Sequence, residues 1–410
     1  MPLSEALGCR LAGSLTALVA VPGVDVSAMD GYAVAGRGPW RVVAQVLAGG
    51  EPYRKALEPG EAIEIATGAP VPVGAEAVMP WERASAVAGG SAAPGSGVAW
   101  VDGVAEAGRH IRRRGEDIAE GAAVLGADAV VTPVALGLAA ALGHDTLLVR
   151  PWPRVAVLVT GDEVVDEGLP APGRVRDAIG PFLPGLVEWA GGRVTDRTRL
   201  PDGPDALRAA LGGPWPEHGR ASREGAHWPE RGRASQEGRR LPERGYASRE
   251  GGRAAGADVV VVCGASSKGP ADHLRAVLHD LGADVLIDGV AVRPGHPQLL
   301  ARLPDGRLLV GLPGNPFAAL AAALTLLAPI LRELTGTPAV KETSALAGTV
   351  RAHARDTRLV PVRRSERGAA PVGHDRPGSL WGAALADALA VVPPGWGGER
   401  VELIELPLGG

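Results

Sequence analysis

The chain has 410 residues, of which 46% are hydrophobic and 21% charged, and its formal net charge is −4. This composition is typical of a folded globular protein, because a disordered chain is poorer in apolar residues and richer in charge. The small negative charge gives no support for a nucleic-acid partner, which clustered positive charge would indicate. No run of about 18 uncharged apolar residues is present, so we expect no membrane-spanning helix and no membrane partner.

The first 20 residues and the cysteines indicate the cellular compartment. The N-terminal stretch has an acidic Glu5 and no basic region followed by an apolar block, so we expect no secretory signal. Cys9 and Cys263 are the only cysteines in the sequence, too few for a disulfide framework or a cysteine-based zinc site. We therefore expect a cytoplasmic protein.

The first 150 residues predict two parts. Residues 21–104 hold short apolar runs broken by Gly and Pro, which favour a β-rich domain with an antiparallel or mixed sheet. Residues 1–20 and 119–143 contain helical stretches. We therefore expect residues 1–20 and 105–150 to form a helical linking domain.

Strands and helices alternate over residues 151–338. Apolar, β-branched runs predict buried strands at 154–160, 258–263 and 307–312. The intervening patterns predict helices at 182–192, 204–213, 272–282 and 317–334. This alternation predicts a central, doubly wound parallel α/β domain, in which ligands bind at the carboxyl ends of the strands.

Two further segments follow from composition and pattern. Three tandem 13-residue copies run from Trp215 to Arg253 and contain almost no apolar side chains, so we expect residues 214–255 to be a disordered insert. A partner-binding or nucleic-acid-binding arm is the alternative, which the partial balance of arginine by glutamate weakens. Short strands predicted at 346–354, 358–363, 388–392 and 400–406 indicate a small β-barrel-like domain over residues 339–410.

Acidic residues directly follow the first predicted α/β strand. The loop reads Thr160, Gly161, Asp162 and Glu163. Carboxylates at the end of a strand suit Mg²⁺, which takes one or two carboxylates together with phosphate oxygens and waters. They suit a helix N-terminus equally well, because acids there complement the helix dipole. The residues alone leave both readings open.

A Gly/Ser loop follows the second strand and contains Gly264, Ser266, Ser267 and Gly269. Backbone N–H groups in such a loop can bind an anion at the start of a helix. The loop is not a phosphate-binding Walker sequence, since Lys268 precedes the glycine and no Gly-Lys-Ser/Thr is present. Asp272 begins the following helix, either as its cap or as a ligand.

Two rigid Pro/Gly loops offer further polar groups. The first spans residues 292–297 and carries Arg293, His296 and Pro297, and the second carries Gly314, Asn315 and Pro316. Loops of this kind, with Arg, His and Asn, indicate an oxyanion or phosphate pocket.

Three N-terminal segments combine polar and apolar residues in unusual ways. Asp30 lies in the octapeptide SAMDGYAV and Thr67 in ATGAPVP, where each residue could simply close a turn. The run Arg112–Arg114 precedes Glu116 and Asp117. That run predicts either a solvated salt-bridge face or a phosphate clamp backed by acids.

In chain order, these segments resemble the molybdopterin molybdotransferases, the bacterial molybdenum-insertion enzymes related to the C-terminal domain of gephyrin. The shared segments are SAMDGYAV, TGAPVPVGAEAV, GEDI, VTGDE, the Gly/Ser loop with Asp272, RPGHP and GLPGNP. The resemblance extends from about Leu3 to Leu406, with the 13-residue copies as an extra insertion.

The resemblance implies a reaction and an assembly. Adenylylated molybdopterin and molybdate are the substrates; the adenylate is cleaved off as AMP, and molybdenum is inserted at the dithiolene to give molybdenum cofactor, with Mg²⁺ assisting. It also implies a homodimer with four domains per chain, in which the α/β domain binds the pterin nucleotide. A molybdopterin adenylyltransferase and recipient molybdoenzymes are the further partners that it suggests.

Carried over by motif, the resemblance assigns roles to individual residues. The catalytic set is Asp30, Thr67, Asp117, Glu163, Asp202 and Asp272. Glu163 and Asp272 are the metal candidates. The molybdopterin and nucleotide set is Thr160, Gly161, Asp162, Gly264, Ser266, Ser267, Gly269, Gly314, Asn315 and Pro316. The molybdate set is Arg293, His296 and Pro297.

The sequence departs from the family around the expected anion pocket. The two family lysines of the Lys-Pro-Gly-Lys-Pro loop are Arg293 and His296, and the serine after Gly-Asn-Pro-x is Ala318. The Asn of Asp-x-Asn is Ile179, and Ser-Gly-Gly reads Cys263-Gly264-Ala265. Two alternatives therefore stay open: a non-catalytic molybdopterin-binding or scaffold paralogue, and an enzyme of the preceding adenylylation step. The additional 150 N-terminal residues count against the second.

Overall fold

The computed structural model describes residues 1–87, 100–212, 256–264, 273–398 and 400–407. The chain divides into two compact units, Met1–Arg150 and Pro151–Gly410. The 13-residue copies, and with them the expected disordered insert, lie outside the described residues. So do Ser266, Ser267, Gly269 and Asp272 of the Gly/Ser loop.

The first unit consists mainly of short strands. Its strands are β1 (Arg10–Leu11), β2 (Leu15–Thr16), β3 (Val26–Ser27), β4 (Gly31–Val34), β5 (Trp40–Val46), β6 (Glu61–Ile65), β7 (Ala77–Pro80), β8 (Ala84–Ala86), β9 (Trp100–Gly103), β10 (Ile111–Arg112), β11 (Ala123–Leu125) and β12 (Val149–Arg150). Helix α1 spans Pro133–Ala141, and 3-10 turns span Leu3–Glu5 and Trp81–Arg83. Thr132 caps α1, because its hydroxyl accepts a hydrogen bond from the Ala135 N–H at 3.1 Å.

Six of these strands form a mixed sheet in the order β7-β4-β6-β5-β9-β8, in which only β5 and β6 run parallel. Strand β4 lies between β6 and β7, so Gly31 is opposite both Ile65 and Pro80. A Cβ atom on Gly31 would lie 2.1 Å from the Met79 carbonyl oxygen, which only glycine avoids. This packing explains the glycine of the octapeptide, and the observed sheet is mixed, as predicted for this part.

The prediction of a helical part over 1–20 and 105–150 is wrong in most of its length. Residues 1–20 form a 3-10 turn and the strands β1 and β2, which pair with β12 and β11. Among the described residues of this part, α1 is the one α-helix. Leu11, Leu15 and Leu147 meet in a shared core, so distant pairing overrides the local helical preference here.

The second unit alternates strands with helices and then continues in strands. Its strands are β13 (Arg154–Thr160), β14 (Val164–Val165), β15 (Val175–Arg176), β16 (Arg193–Leu200), β17 (Val259–Cys263), β18 (Asp284–Asp288), β19 (Val292–Arg293), β20 (Leu299–Arg302), β21 (Leu308–Leu312), β22 (Glu342–Ala345), β23 (Thr357–Ser365), β24 (Gly368–Pro371), β25 (Ala388–Val392) and β26 (Arg400–Glu405). Its helices are α2 (Leu183–Trp189), α3 (Pro204–Leu211), α4 (Leu274–Asp280), α5 (Pro316–Ala322), α6 (Ala328–Thr335) and α7 (Trp381–Leu385), with a π turn at Ala323–Leu327 between α5 and α6.

The central sheet of this unit has the order β16-β13-β17-β21-β20-β18. The first four strands are parallel, whereas β20 runs antiparallel to both β21 and β18. The predicted α/β sheet is therefore mixed, not wholly parallel. Side chains of β13 alternate between two cores, Val157 with α2, α5 and α6 on one face and Leu158 with α3 and α4 on the other. Helices cover both faces, as a doubly wound sheet requires.

The segment Pro316–Thr335 is the one helix among the described residues that is long and apolar enough to cross a membrane. However, 67% of its most apolar window is buried in the unit. Phe317, Leu327 and Leu331 are fully buried against the central sheet and α2. Core packing accounts for the apolar character of this helix.

The C-terminal strands form a second sheet in the order β19-β23-β25-β26-β22, with β24 added beside β23. Strand β19 comes from the α/β part of the chain and pairs in parallel with β23, so the two parts share a sheet. The predicted strand at 346–354 is absent except for a single bridge from Leu346 to Ala369. The edge strand β22 precedes it and pairs with β26.

Candidate active site

A cavity of about 670 Å³ lies at the carboxyl ends of the four parallel strands. Its walls come from the segments that follow β13, β16, β17 and β21, from β14 and β15, and from the loop before α7. The lining residues are Val159, Thr160, Gly161, Glu163, Val164, Val175, Arg176, Asp177, Ala178, Ile179, Asp202, Cys263, Gly264, Pro297, Pro313, Gly314, Asn315, Pro316 and Gly378. Nine of the predicted site residues are in this set, and they come from five separate segments of the sequence.

The floor of the cavity is formed by the ends of β13 and β17. The buried Thr160 hydroxyl donates to the Cys263 carbonyl at 3.1 Å. Gly264 has φ +98°, and a Cβ atom there would lie 2.8 Å from the Thr160 carbonyl oxygen. Only glycine permits this close approach, and it brings the start of the Gly/Ser loop against the neighbouring strand end.

Cys263, which the resemblance places where the family has a serine, is buried and lines the cavity. Burial raises the pKa of its thiol to about 12, and the nearby Asp177 carboxylate adds to the shift. The thiol therefore stays protonated at neutral pH, and it supplies neither a thiolate nucleophile nor a thiolate metal ligand.

The acids after β13 and β16 are bonded to each other. The Asp162 N–H donates to the Asp202 carboxylate at 3.1 Å, and the Asp202 N–H donates to the Asp162 carboxylate at 3.3 Å. These reciprocal bonds fix the two strand ends side by side. Glu163 and Asp202 line the cavity with exposed carboxylates, whereas Asp162 does not line it.

Asp177 is a further site residue, which the sequence shows only as part of an incomplete motif. Its side chain is 5% exposed, and one carboxylate oxygen accepts the N–H groups of Ile179 and Gly180, both at 2.9 Å. The other oxygen pairs with Arg197. This network shapes the cavity wall at Ala178 and Ile179. The surviving Asp of the family's Asp-x-Asn was the one available signal.

The GLPGNP segment reaches the cavity at the start of α5. The Phe317 and Ala318 N–H groups at this helix end donate to the Pro377 carbonyl at 2.9 and 3.3 Å. Those donors are therefore already used within the protein. Asn315 and the neighbouring Gly378 complete this side of the cavity.

The predicted molybdate residues separate in the structure. Pro297 lines the cavity, whereas Arg293 and His296 do not. The Arg293 Nε donates to Asp356 at 2.6 Å, and this bond holds the pKa of the Asp356 carboxyl below its usual range. The His296 Nδ1 lies 2.7 Å from the Val290 carbonyl oxygen, so it carries the proton and donates.

In the first unit, the structure brings Asp30 and Thr67 together. The Thr67 N–H donates to the Asp30 carboxylate at 2.7 Å. Two more bonds join the same segments, from the Gly68 N–H to the Ser27 carbonyl and from the Ser27 N–H to the Ala69 carbonyl, at 2.8 and 3.0 Å. Both Asp30 and Thr67 are exposed, so each is reachable from solvent.

The Arg112–Arg114 run forms ion pairs in the described structure. Its members pair, in order, with Asp117, Asp25 and Glu120. A hydrogen bond from the Arg114 N–H and another from Arg113 lower the pKa of Asp25. The geometry therefore favours the salt-bridge reading of this run over the phosphate clamp.

No group of three or more His, Cys, Asp or Glu side chains placed to hold a metal ion occurs within the described ranges. Of the two predicted metal ligands, Glu163 is at the cavity and Asp272 lies outside those ranges. The roles of Asp30, Thr67 and Asp117 in the reaction stay predictions from the resemblance.

The chain is similar to known proteins along most of its length. Residues 1–143 match the family described as MoeA N-terminal region (domain I and II), and residues 242–333 match the probable molybdopterin binding domain. Molybdopterin molybdenumtransferase 2 of Mycobacterium tuberculosis is 35% identical over 358 residues, which cover 82% of this chain and 75% of that protein. The molybdopterin molybdenumtransferase of Synechococcus elongatus is 31% identical, over 81% of this chain and 74% of that protein.

A solved structure agrees with these matches. The molybdopterin biosynthesis MoeA protein from Pyrococcus horikoshii superposes with a TM-score of 0.71 and 25% identity, covering 100% of this chain and 94% of that chain. Similarity of fold thus extends over both units. With two relatives above 30% identity over about three quarters of their lengths, the chain belongs to the molybdopterin molybdenumtransferase family, whose members are transferases.

Proposed function

We propose that this protein inserts molybdenum from molybdate into adenylylated molybdopterin and releases AMP, with Mg²⁺ assisting. The observation that carries the proposal is the cavity at the carboxyl ends of β13, β16, β17 and β21, where five predicted segments converge. In doubly wound sheets this edge is the usual ligand site. Its volume of about 670 Å³ lies within the usual range for small-molecule sites.

The cavity offers the chemistry that a phosphorylated substrate needs. The backbone at Gly161, Gly264 and Gly314 borders it, so a ligand can approach the main chain closely. Glu163 and Asp202 add carboxylates at one side. These groups support cleavage of a phosphoanhydride, in which the protein mainly positions the reacting groups and offsets their charge.

The residues present fit Mg²⁺, because carboxylate oxygens are the ligands that this ion prefers. Glu163 and Asp202 supply such oxygens at the cavity, and Glu163 with Asp272 is the predicted pair. Bound there, Mg²⁺ would neutralise phosphate charge while the phosphorus–oxygen bond to AMP breaks. The reciprocal hydrogen bonds between Asp162 and Asp202 hold the strand ends in register for this task.

The resemblance supports further proposals about assembly. From it we propose that the protein is a homodimer in the cytoplasm. We also propose that a molybdopterin adenylyltransferase supplies its substrate and that recipient molybdoenzymes accept its product. Size-exclusion chromatography with light scattering would test the homodimer, and a monomer at micromolar concentration would contradict it.

The experiment for the function uses purified protein with adenylylated molybdopterin, molybdate and Mg²⁺. We expect AMP release together with molybdenum cofactor formation, and loss of both when molybdate or Mg²⁺ is left out. Substrate binding without AMP release would support the non-catalytic scaffold paralogue instead. Formation of adenylylated molybdopterin from ATP would support the enzyme of the preceding step.

A further inference from the structure

Arg176 is the one basic residue among the described residues that line the cavity. The lining also carries three acids, Glu163, Asp177 and Asp202. Asp177 is already paired with Arg197, so Glu163 and Asp202 leave this wall with a surplus of negative charge. A phosphate group placed beside those two carboxylates would be repelled unless a cation offset its charge.

The backbone of Arg176 is held firmly in place. Arg176 ends β15 and pairs with Val165 of β14. The flanking N–H groups of Val175 and Asp177 donate to the carbonyls of Glu163 and Val165 at 2.9 and 3.0 Å. The Asp177 carboxylate in turn fixes the residues that follow it. A side chain on this short ladder therefore starts from a defined position at the cavity wall.

The nearby arginines differ in how their guanidinium groups are used. Arg197 pairs with Asp177, and Arg199 bonds two loop carbonyls and lies 3.6 Å from Asp166. Arg174 donates to the Asp162 carbonyl. Arg176 is exposed, makes one hydrogen bond, from Nη1 to the Gly168 carbonyl at 2.9 Å, and has no carboxylate partner within the described part of the chain.

We infer that Arg176 binds a phosphate group of the pterin nucleotide, and this inference rests on the proposed function. One N–H group of its guanidinium donates to the Gly168 carbonyl, and the others remain as donors. A planar fork of N–H donors can bind two phosphate oxygens at once. Arg176 thus offsets phosphate charge on the cavity wall that also holds the carboxylates. The interaction makes it a substrate-binding residue that the motif comparison did not identify.

The test compares the affinities of AMP and adenosine, which differ only in the phosphate. Titration calorimetry or fluorescence would give the two dissociation constants for wild type, Arg176→Ala, Arg176→Lys and a control. The control is Arg367→Ala, which removes one positive charge at the exposed turn between β23 and β24. Melting temperatures report whether each variant folds, and the lysine variant keeps the test valid if the alanine variant does not.

We expect Arg176→Ala to weaken AMP binding by roughly tenfold or more, as the loss of charged hydrogen bonds does, and to leave adenosine binding unchanged. Arg176→Lys should lie between wild type and Arg176→Ala, because a lysine keeps the charge and loses the fork. Arg367→Ala should match wild type.

Each of the following outcomes would overturn the inference. Equal loss of AMP and adenosine binding in Arg176→Ala would show that Arg176 only supports the turn at Gly168. Unchanged AMP binding, or an equal loss in Arg367→Ala, would remove Arg176 from the phosphate site. A wild type that binds adenylylated molybdopterin but not AMP would overturn the inference alone, whereas one that binds neither would contradict the proposed function as well.

Discussion

Substituting Gly264 by alanine tests how closely two strand ends must approach to build the cavity floor. Gly264 has φ +98°, and an added Cβ atom would lie 2.8 Å from the Thr160 carbonyl oxygen and 2.9 Å from its hydroxyl oxygen. The first contact involves backbone in β13, which cannot rotate away. The Thr160 hydroxyl is also committed, since it donates to the Cys263 carbonyl.

The substitution therefore lowers the free energy of unfolding in two ways, and the two effects add. A positive φ costs an alanine about 1 kcal/mol, and a forced backbone shift in a packed region costs about 1–3 kcal/mol more. Gly306→Ala is the matched control, because Gly306 has φ +88° and nothing within 4 Å of its added Cβ. The control variant carries only the cost of the positive φ. The difference in stability between the two variants therefore measures the cost of the close approach.

Thermal unfolding of both variants measures the two costs. At about 2–4 °C per kcal/mol, we expect Gly306→Ala to melt a few degrees below wild type and Gly264→Ala roughly 5–15 °C below it. Gly264→Ala should also weaken AMP binding, while Gly306→Ala should not. If the two variants melt within about 1 °C of each other, the close approach contributes nothing and the reasoning about the cavity floor fails.

Other predictions concern the chemistry and the insert. Glu163→Gln and Asp272→Asn should each sharply reduce AMP release without lowering the melting temperature, and activity within threefold of wild type at saturating Mg²⁺ would remove them from the metal site. Deleting residues 215–253 should leave stability and activity nearly unchanged, because doubling a loop's length costs only about 0.6 kcal/mol; a markedly lower melting temperature would show that the insert is structural. His296→Ala should leave molybdate binding nearly unchanged, since the His296 ring bonds the Val290 carbonyl and does not line the cavity; a marked loss of molybdate binding would show that His296 touches the anion.

Some elements could be predicted from the sequence because local pattern and final environment agree. The run 154–160 is a strand with the predicted bounds, since its β-branched residues are buried on both faces of a sheet. The long apolar helix after GLPGNP was predicted for the same reason, although a π turn at Ala323–Leu327 interrupts it. In both cases the hydrophobic period matches the burial that the fold provides.

Other elements were missed because distant partners determine them. Residues 1–20 contain many alanines and leucines, yet they pair with strands more than 100 residues away. Strand β18 has mostly exposed side chains and two aspartates, so nothing in its pattern distinguishes an antiparallel edge strand from a loop. The strand expected at 346–354 does not form. The shorter β22 precedes it and pairs with β26 instead.

The residues of the site likewise divide into those that could be predicted from the sequence and those that could not. The strand-end residues could be predicted, because loops that follow parallel strands converge at one edge. The contact between Asp30 and Thr67 depends on the register of β4 with β6, which no short-range pattern reports. Arg176 could not be identified from the sequence, because no motif marks it. It stands out only in the structure, where three nearby arginines bond groups of the protein and Arg176 lines the cavity.

The most direct test of the account is hydrogen exchange of the intact protein with and without adenylylated molybdopterin, molybdate and Mg²⁺. We predict slower exchange in residues 159–164, 259–264 and 312–316, the strand ends that border the cavity, and no change in the β23–β24 turn at residues 365–368. Binding that protects other segments and leaves these three unchanged would contradict the placement of the active site at this edge of the sheet.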